Sequence, residues 1–212
     1  MHKYNAISIF LVALMVSQGT SIPKPSEKAK MGRYIIHNVD WISIATISTL
    51  DQIKSYPFVN LKSVADGPAK NGTGIPYLLM TDLDLSGRDV KVDNRVTVLA
   101  SLAEVAYCSK KEYDPQDPRC GRLIITGKLL QIPIGTDEFR FAHTALITKH
   151  PVMASWEKVH KFYLAKIDIE QVCVLDYFGG ASFVPVDEYL QVSPEQYEQY
   201  SPDNVVPTVK AE

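Results

Sequence analysis

From Trp41 onward the chain breaks into short runs of β-branched and aromatic residues, each closed by a turn signal. "WISIATISTL" is followed by "FVNLKSV", "PYLLMTDL", "RVTVLASLAEVAY", "GRLIITGKLLQI" and "FYLAKIDIEQVCVLDY". Such runs read as half-buried strands, because branched side chains fit a pleated surface and alternation turns one face inward. So many strands in so short a span predict a closed or nearly closed barrel, since closure removes edges that would otherwise pair with other chains. Gly127 interrupts the fifth run and predicts a bulge or a sharp bend there. Helical period is clearest over "DEFRFAHTALITKH". There Phe139, Ala142, His143, Leu146 and Ile147 share a face, Thr136 can cap, and Asp137 and Glu138 sit in the first turn. A shorter helix is expected near "KVDNR", and another over "AKMGRYIIHNV", packed on the barrel. The class is α+β, mainly β, with a few flanking helices.

A length of 212 residues, a hydrophobic fraction of 46% and a formal net charge of -2 suit one sizeable core. No lysine- or arginine-rich run is present, and mild acidity argues against direct nucleic-acid binding. Residues 1–21 have a basic start, an apolar run from Ala6 to Val16, and small residues at Ser17, Gly19 and Ser21. This is the pattern of a cleaved signal peptide, too short and too abruptly polar to span a bilayer. Residues 22–30 read as a flexible mature N-terminus, 31–192 as the folded domain, and 193–212, with three prolines, as a mobile tail. The expected location is therefore outside the cell or in a lumen.

Three cysteines suit that compartment. Cys108 and Cys120 flank the polar, proline-punctuated "SKKEYDPQDPR", whose ends a disulfide could pin. Cys173, in an alternating apolar stretch, reads as a buried free thiol acting as a small hydrophobe. The sequon Asn71-Gly72-Thr73 lies in the Gly- and Pro-rich "DGPAKNGTGIP" and is the candidate glycan site.

Chemistry-bearing patterns are few. His143, His150 and His160 lack the spacing of a metal-ligand pair, so no metal site is expected. No nucleophile elbow, P-loop or dinucleotide fingerprint occurs, so no catalytic residue is assigned. Asp176 interrupts an apolar strand and is read as structural, bonded to a nearby turn or a tyrosine. The adjacent Gly179 and Gly180, after "VLDYF", ask either for positive φ or for something that approaches the backbone closely.

Taken together, "DWISIATISTL", "YPFVNLKSVADG", "GIPYLLMTDLDLS", "CSKKEYDPQDPRCGRLIITGKL" and the stretch from "HTALITKHPVMASW" through "VCVLDYFGGASF" resemble the CREG family of secreted glycoproteins. The resemblance covers 31–192. It implies a split β-barrel similar to the FMN-binding, pyridoxamine-phosphate-oxidase-like proteins, paired as a homodimer. It also implies a secreted or endolysosomal glycoprotein without catalytic activity, acting through protein partners in growth and differentiation. A cell-surface or sorting receptor is among the partners so implied, although Asn71 does not stand where the family's usual sequons do. The alternative is a flavin-dependent oxidoreductase on the same barrel. In that case Thr81, Ser86 and Arg88 would hold the FMN phosphate, and Gly179 and Gly180 would border the ring. Against it, Ser86 stands where flavin-handling relatives carry histidine, Gly87 where they carry threonine and Asp89 where they carry asparagine. Replacement cations could come from Lys62, Lys91 or Arg122. No cofactor is expected. A small-ligand carrier is a third reading that rests on barrel architecture alone.

Overall fold

The computed structural model describes residues 22–156 and 160–200. The expected signal peptide, 1–21, lies outside the described residues, as does 201–212 of the expected tail. Seven strands make one antiparallel sheet: β1 (Trp41–Ile47), β2 (Pro57–Ser63), β3 (Tyr77–Met80), β4 (Arg95–Ser101), β5 (Arg122–Gln131), β6 (Tyr163–Leu175) and β7 (Ser182–Val184). The order is β2-β1-β4-β5-β6-β3, with β7 also on β6. The two ends of that path, β2 and β3, pack against each other without a ladder between them. The result is a barrel with an open seam, nearly closed as the strand pattern predicts and split as the family resemblance implies.

Alternation builds the interior. Ile42 and Ile44 of β1, Val96 and Val98 of β4, and Leu123 and Ile125 of β5 all point inward and are fully or almost fully buried. Helix α1 (Lys28–Asn38) closes one end of the core with Met31, Tyr34, Ile35 and Ile36. Helix α4 (Asp137–Lys149) covers β3 and β6 through Ala142, Ala145 and Leu146, which join Tyr77, Leu79 and Leu164 in a second apolar cluster. The Thr136 hydroxyl accepts from the Phe139 amide at 3.1 Å, so the expected cap is present. The register of β5 against β6 shifts between Thr126 and Gly127, as a bulge does. A Cβ on Gly127 would stand 2.1 Å from the Asp168 carbonyl oxygen, which is why glycine is needed there.

Several boundaries differ from the sequence expectation. The run from Arg95 does not continue as a strand to Tyr107: Glu104 turns back and its Oε1 accepts from the Ser101 amide at 2.9 Å, and helix α3 (Ala106–Lys110) follows. The short helix expected near "KVDNR" is instead α2 (Leu85–Val92), because Asp93 leaves the helix to accept from Arg95. At the ends, order extends beyond 31–192. Helix α1 begins at Lys28 with Ala29 buried, within the stretch expected to be flexible. After α6 (Val186–Gln191), a 3-10 turn at Pro194–Gln196 delivers Tyr197 fully buried into the core, so the start of the expected mobile tail is packed. Between them α5 (Met153–Trp156) is a single turn. No described helix is long and apolar enough to cross a membrane. Cys108 and Cys120 are joined as a disulfide, and Cys173 is free and buried.

Candidate functional site

The residues singled out for a flavin phosphate lie around the start of α2, beside the barrel seam. Thr81 follows β3 and is half-buried, Ser86 is fully buried, and Arg88 is exposed. Two carboxylates fill the space among them. Asp84, the residue before α2, pairs with Lys62 of β2 and accepts from Asn60 Nδ2 at 2.9 Å. Asn60 also reaches the Ser86 hydroxyl at 3.4 Å. Asp89, 1% exposed, accepts from Thr46 Oγ1 at 2.8 Å and from the Thr49 amide and hydroxyl at 2.8 and 2.7 Å. Burial opposes its charge, but the bonds from Thr49 and Thr46, helped by Arg88, outweigh it and hold the carboxyl below its ordinary value. Gly87 is set by packing, since a Cβ there would stand 2.0 Å from the Thr81 carbonyl oxygen.

The replacement cations already have partners. Lys62 serves Asp84, and burial lowers its pKa. Lys91 pairs with the exposed Asp82, and Arg122 donates to the Gln116 carbonyl oxygen at 3.1 Å. A phosphate dianion needs converging donors, whereas this cradle holds one exposed arginine, a lysine already paired with Asp84, and two carboxylates. The residues do not fit the phosphate of FMN. Nor does one chain bring the two halves of the expected site together. Thr81 follows a strand paired to the start of β6, while Gly179 and Gly180 lie past the far end of that 13-residue strand. These glycines have φ of +107° and +97°, and nothing stands within 4 Å of a Cβ built on either. Their backbone conformation requires glycine, with no close neighbour involved, and the turn presents Tyr177 and Phe178 to solvent.

The other sequence candidates have structural partners. Asp176 is buried against Lys28 of α1, and not bonded to a turn or a tyrosine as expected, because α1 crosses the end of β6. His150 ends α4, its amide bonded to Leu146 and its Nε2 3.1 Å from the Val64 carbonyl oxygen. His143 stacks on Phe139 and His160 meets the edge of Phe162. Among the described residues, no group of three or more His, Cys, Asp or Glu is placed to hold a metal ion.

A polar cluster that the sequence reading missed lies where α1 meets the loop carrying Asn71. Arg33, 1% exposed, donates to the carbonyl oxygens of Gly72 at 2.6 Å, Tyr189 at 3.2 Å and Leu190 at 3.1 Å. Its guanidinium also lies over the rings of Tyr189 and Tyr197, at 5.7 and 5.4 Å. One turn later His37 meets Asp66, which is itself buried and accepts from the Gly74 amide at 3.1 Å. Asn71 is exposed at the loop tip. The available signal was the pair Arg33 and His37, four residues apart and flanking the apolar Tyr34, Ile35 and Ile36.

One face of the sheet is partly uncovered, most at its two edges and least at the buried Cys173. The register sets Leu61, Ser43, Leu99, Ile124, Cys173 and Phe183 in one row across six strands, on the side away from the core. Leu61 and Phe183, at its two ends, are 58% and 71% exposed.

Comparison with known proteins agrees with this geometry. The family model for the CREG β-barrel matches residues 23–191. Protein CREG1 of Gallus gallus is 40% identical over 181 residues, covering 84% of this chain and 93% of that protein. Protein CREG1 of Homo sapiens is 34% identical over 172 residues, covering 81% and 77%. Among solved structures, a heme binding protein from Mycobacterium smegmatis superposes with a TM-score of 0.62 at 15% identity, over 81% of this chain and 63% of that one. Campylobacter jejuni ChuZ superposes with a TM-score of 0.58 at 11% identity, over 82% and 65%. At such identities the structural likeness speaks for the fold alone.

Proposed function

This chain belongs to the CREG β-barrel family, and from that premise we propose that it is a non-enzymatic glycoprotein of the secretory route that acts through protein partners in growth and differentiation control or in lysosomal function. The observation that carries the reading is the filled cradle at α2. Asp84 and Asp89 occupy with fixed negative charge the region where a flavin enzyme on this barrel would gather cations. A chain that has built carboxylates into that region keeps the scaffold and uses its surface.

The rest of the proposal concerns that surface. The signal-like 1–21 delivers the chain to the secretory lumen, where the exposed Asn71 receives a glycan that a sorting or cell-surface receptor can engage. The exposed Leu61, Leu99 and Phe183 of that row support a homodimer, because apolar side chains on one sheet face are covered when a two-fold partner packs on it. One preparation tests both parts. The full-length chain is expressed through a secretory host supplied with riboflavin, then examined by light scattering and by titration with FMN. A colourless dimer without saturable flavin quenching is expected. A yellow stoichiometric complex, or micromolar FMN binding that Arg88→Ala abolishes, would promote the flavin-dependent oxidoreductase. A monomer mass would overturn the pairing.

A further inference from the structure

His37 has two ring nitrogens, and both face acceptors. Nδ1 lies 2.8 Å from Asp66 Oδ1 and Nε2 lies 3.0 Å from the Ala69 carbonyl oxygen. Neither a carboxylate nor a carbonyl can donate, and a neutral imidazole donates from one nitrogen only. Both contacts are hydrogen bonds only when the ring carries two protons. The side chain is 14% exposed, its contact with Asp66 is half-buried and its contact with Ala69 lies at the exposed edge of the loop, so it is the Ala69 contact that can open to water.

What His37 holds is the loop of residues 66–74 that displays Asn71. The Thr73 amide and hydroxyl both donate to the Asp66 carbonyl oxygen at 2.7 Å, and the Asn71 amide donates to Pro68. Gly72 threads between the clasping groups. A Cβ on it would stand 2.5 Å from Tyr197 Oη, 2.6 Å from Asp66 Oδ2 and 2.7 Å from His37 Nδ1. Other elements bring further charged or titratable groups to the ring. Lys149 of α4 donates to the His37 carbonyl oxygen at 3.2 Å and works against a charged imidazole, and the Tyr197 ring lies 5.3 Å away. Arg33, on the same helix, grips the Gly72 carbonyl. Burial penalises the charged ring, but the bond and charge of Asp66, with the Ala69 carbonyl, outweigh it, and the His37 pKa stands above 6.5.

We infer that residues 66–74 form a proton-operated latch: doubly protonated His37 clasps both Asp66 and Ala69 in acidic surroundings, and on losing a proton it keeps Asp66 and releases Ala69. The loop that presents Asn71 is then tight in an acidic lumen and looser at neutral pH. The latch stands on the His37 geometry and not on the proposed delivery route, so neither failure implies the other.

Hydrogen exchange on the full-length protein at about pH 5 and about pH 7.5, corrected for intrinsic rates, reads the latch directly. The expected result is several-fold greater protection of the amides between Ala69 and Thr73 at the lower pH, beyond any change in β5 and β6. His37→Gln should abolish that difference, and Glu104→Gln, which alters a separate titrating group nearby, should leave it. Equal protection at both pH values, or a difference that survives in His37→Gln, overturns the latch. Should His37→Gln fail to fold, ring titration of the unaltered protein by NMR decides: an apparent pKa above 6.5 supports the latch and one at or below it refutes it.

Discussion

The cluster at the end of α1 and the cradle under α2 are both buried polar sites on one barrel, built from opposite materials. Around α1 the organising groups are cations that feed backbone carbonyls. Arg33 serves Gly72, Tyr189 and Leu190, and Lys149 serves His37 and Val39. Under α2 they are anions that collect donors, Asp89 from two threonines and Asp84 from Asn60 and Lys62. The first arrangement ties distant pieces of chain together, because carbonyls are available anywhere along a loop. The second closes a local gap and repels any further anion. They also respond to protons with opposite signs, which makes the comparison testable by stability alone.

The largest effect belongs to Arg33. Arg33→Met keeps the length and apolar stem but removes the donor from the buried carbonyl oxygens of Tyr189 and Gly72, the latter keeping only the Tyr197 hydroxyl at 3.5 Å, and from the half-buried one of Leu190, a loss of roughly 3–5 kcal/mol. Urea unfolding should register it equally at pH 5 and pH 7.5, since guanidinium does not titrate there. A loss below about 1 kcal/mol would mean that water replaces the arginine and that the α1 cluster is not a tie between distant segments.

Next comes Glu104, which neighbours the α1 cluster through Asp40 and Lys149. Burial raises its carboxyl to about 7, the charge of Asp40 adds to that, and the Ser101 amide and Lys149 only partly offset it. Its Oε2 is buried and has no hydrogen-bond partner among the described residues. A carboxyl raised on folding binds its proton more tightly in the native state, so stability falls as pH climbs from 4.5 to about 7. The expected fall is about 2–3 kcal/mol. Glu104→Gln should flatten that limb and make the protein more stable at neutral pH. An unchanged limb in the variant would show that this side of the comparison is misassigned.

The contrast explains what the sequence could and could not disclose. Strands were legible because β-branched alternation is local, and Gly127 and Thr136 act on neighbours fixed by the element itself. The φ values at Gly179 and Gly180 were legible as a requirement for glycine, but choosing positive φ over close approach needed the empty space around them. The α1 cluster was not legible, because Tyr197 is drawn from a proline-punctuated tail into the core by an arginine 164 positions earlier. Likewise, nothing near Asp176 in sequence announces Lys28 as its partner. At α2, substitutions at 86, 87 and 89 showed that a phosphate site had changed. That Asp84 had taken Lys62 away from it is a pairing across 22 residues that no local pattern records.

Asp89 supplies the smallest effect and the opposite sign. Its pKa is held below 3.8, so its stabilisation is fully present above that value and is lost as pH falls through the lower native value. Asp89→Asn keeps the volume. The amide oxygen can still accept from the Thr49 amide and hydroxyl, which share Oδ1 in the natural protein, while the amide nitrogen then faces Thr46. Thr46 can turn its hydroxyl to accept, which exchanges one charge-assisted bond for a neutral one, a loss of roughly 1–2 kcal/mol at neutral pH. Below 3.8 the charge-dependent part of that loss shrinks as pH falls toward the lower native value, so the two proteins should draw together. Glu104 and His37 favour the folded state as pH falls from neutrality, and Asp89 favours it until pH drops below 3.8, so maximal stability lies on the acid side of neutrality. Unfolding midpoints for Asp89→Asn at pH 7 and near pH 3 test this. A deficit as large at pH 3 as at pH 7 would mean that the cradle depends on shape and not on charge, and the opposition between the two clusters would fail.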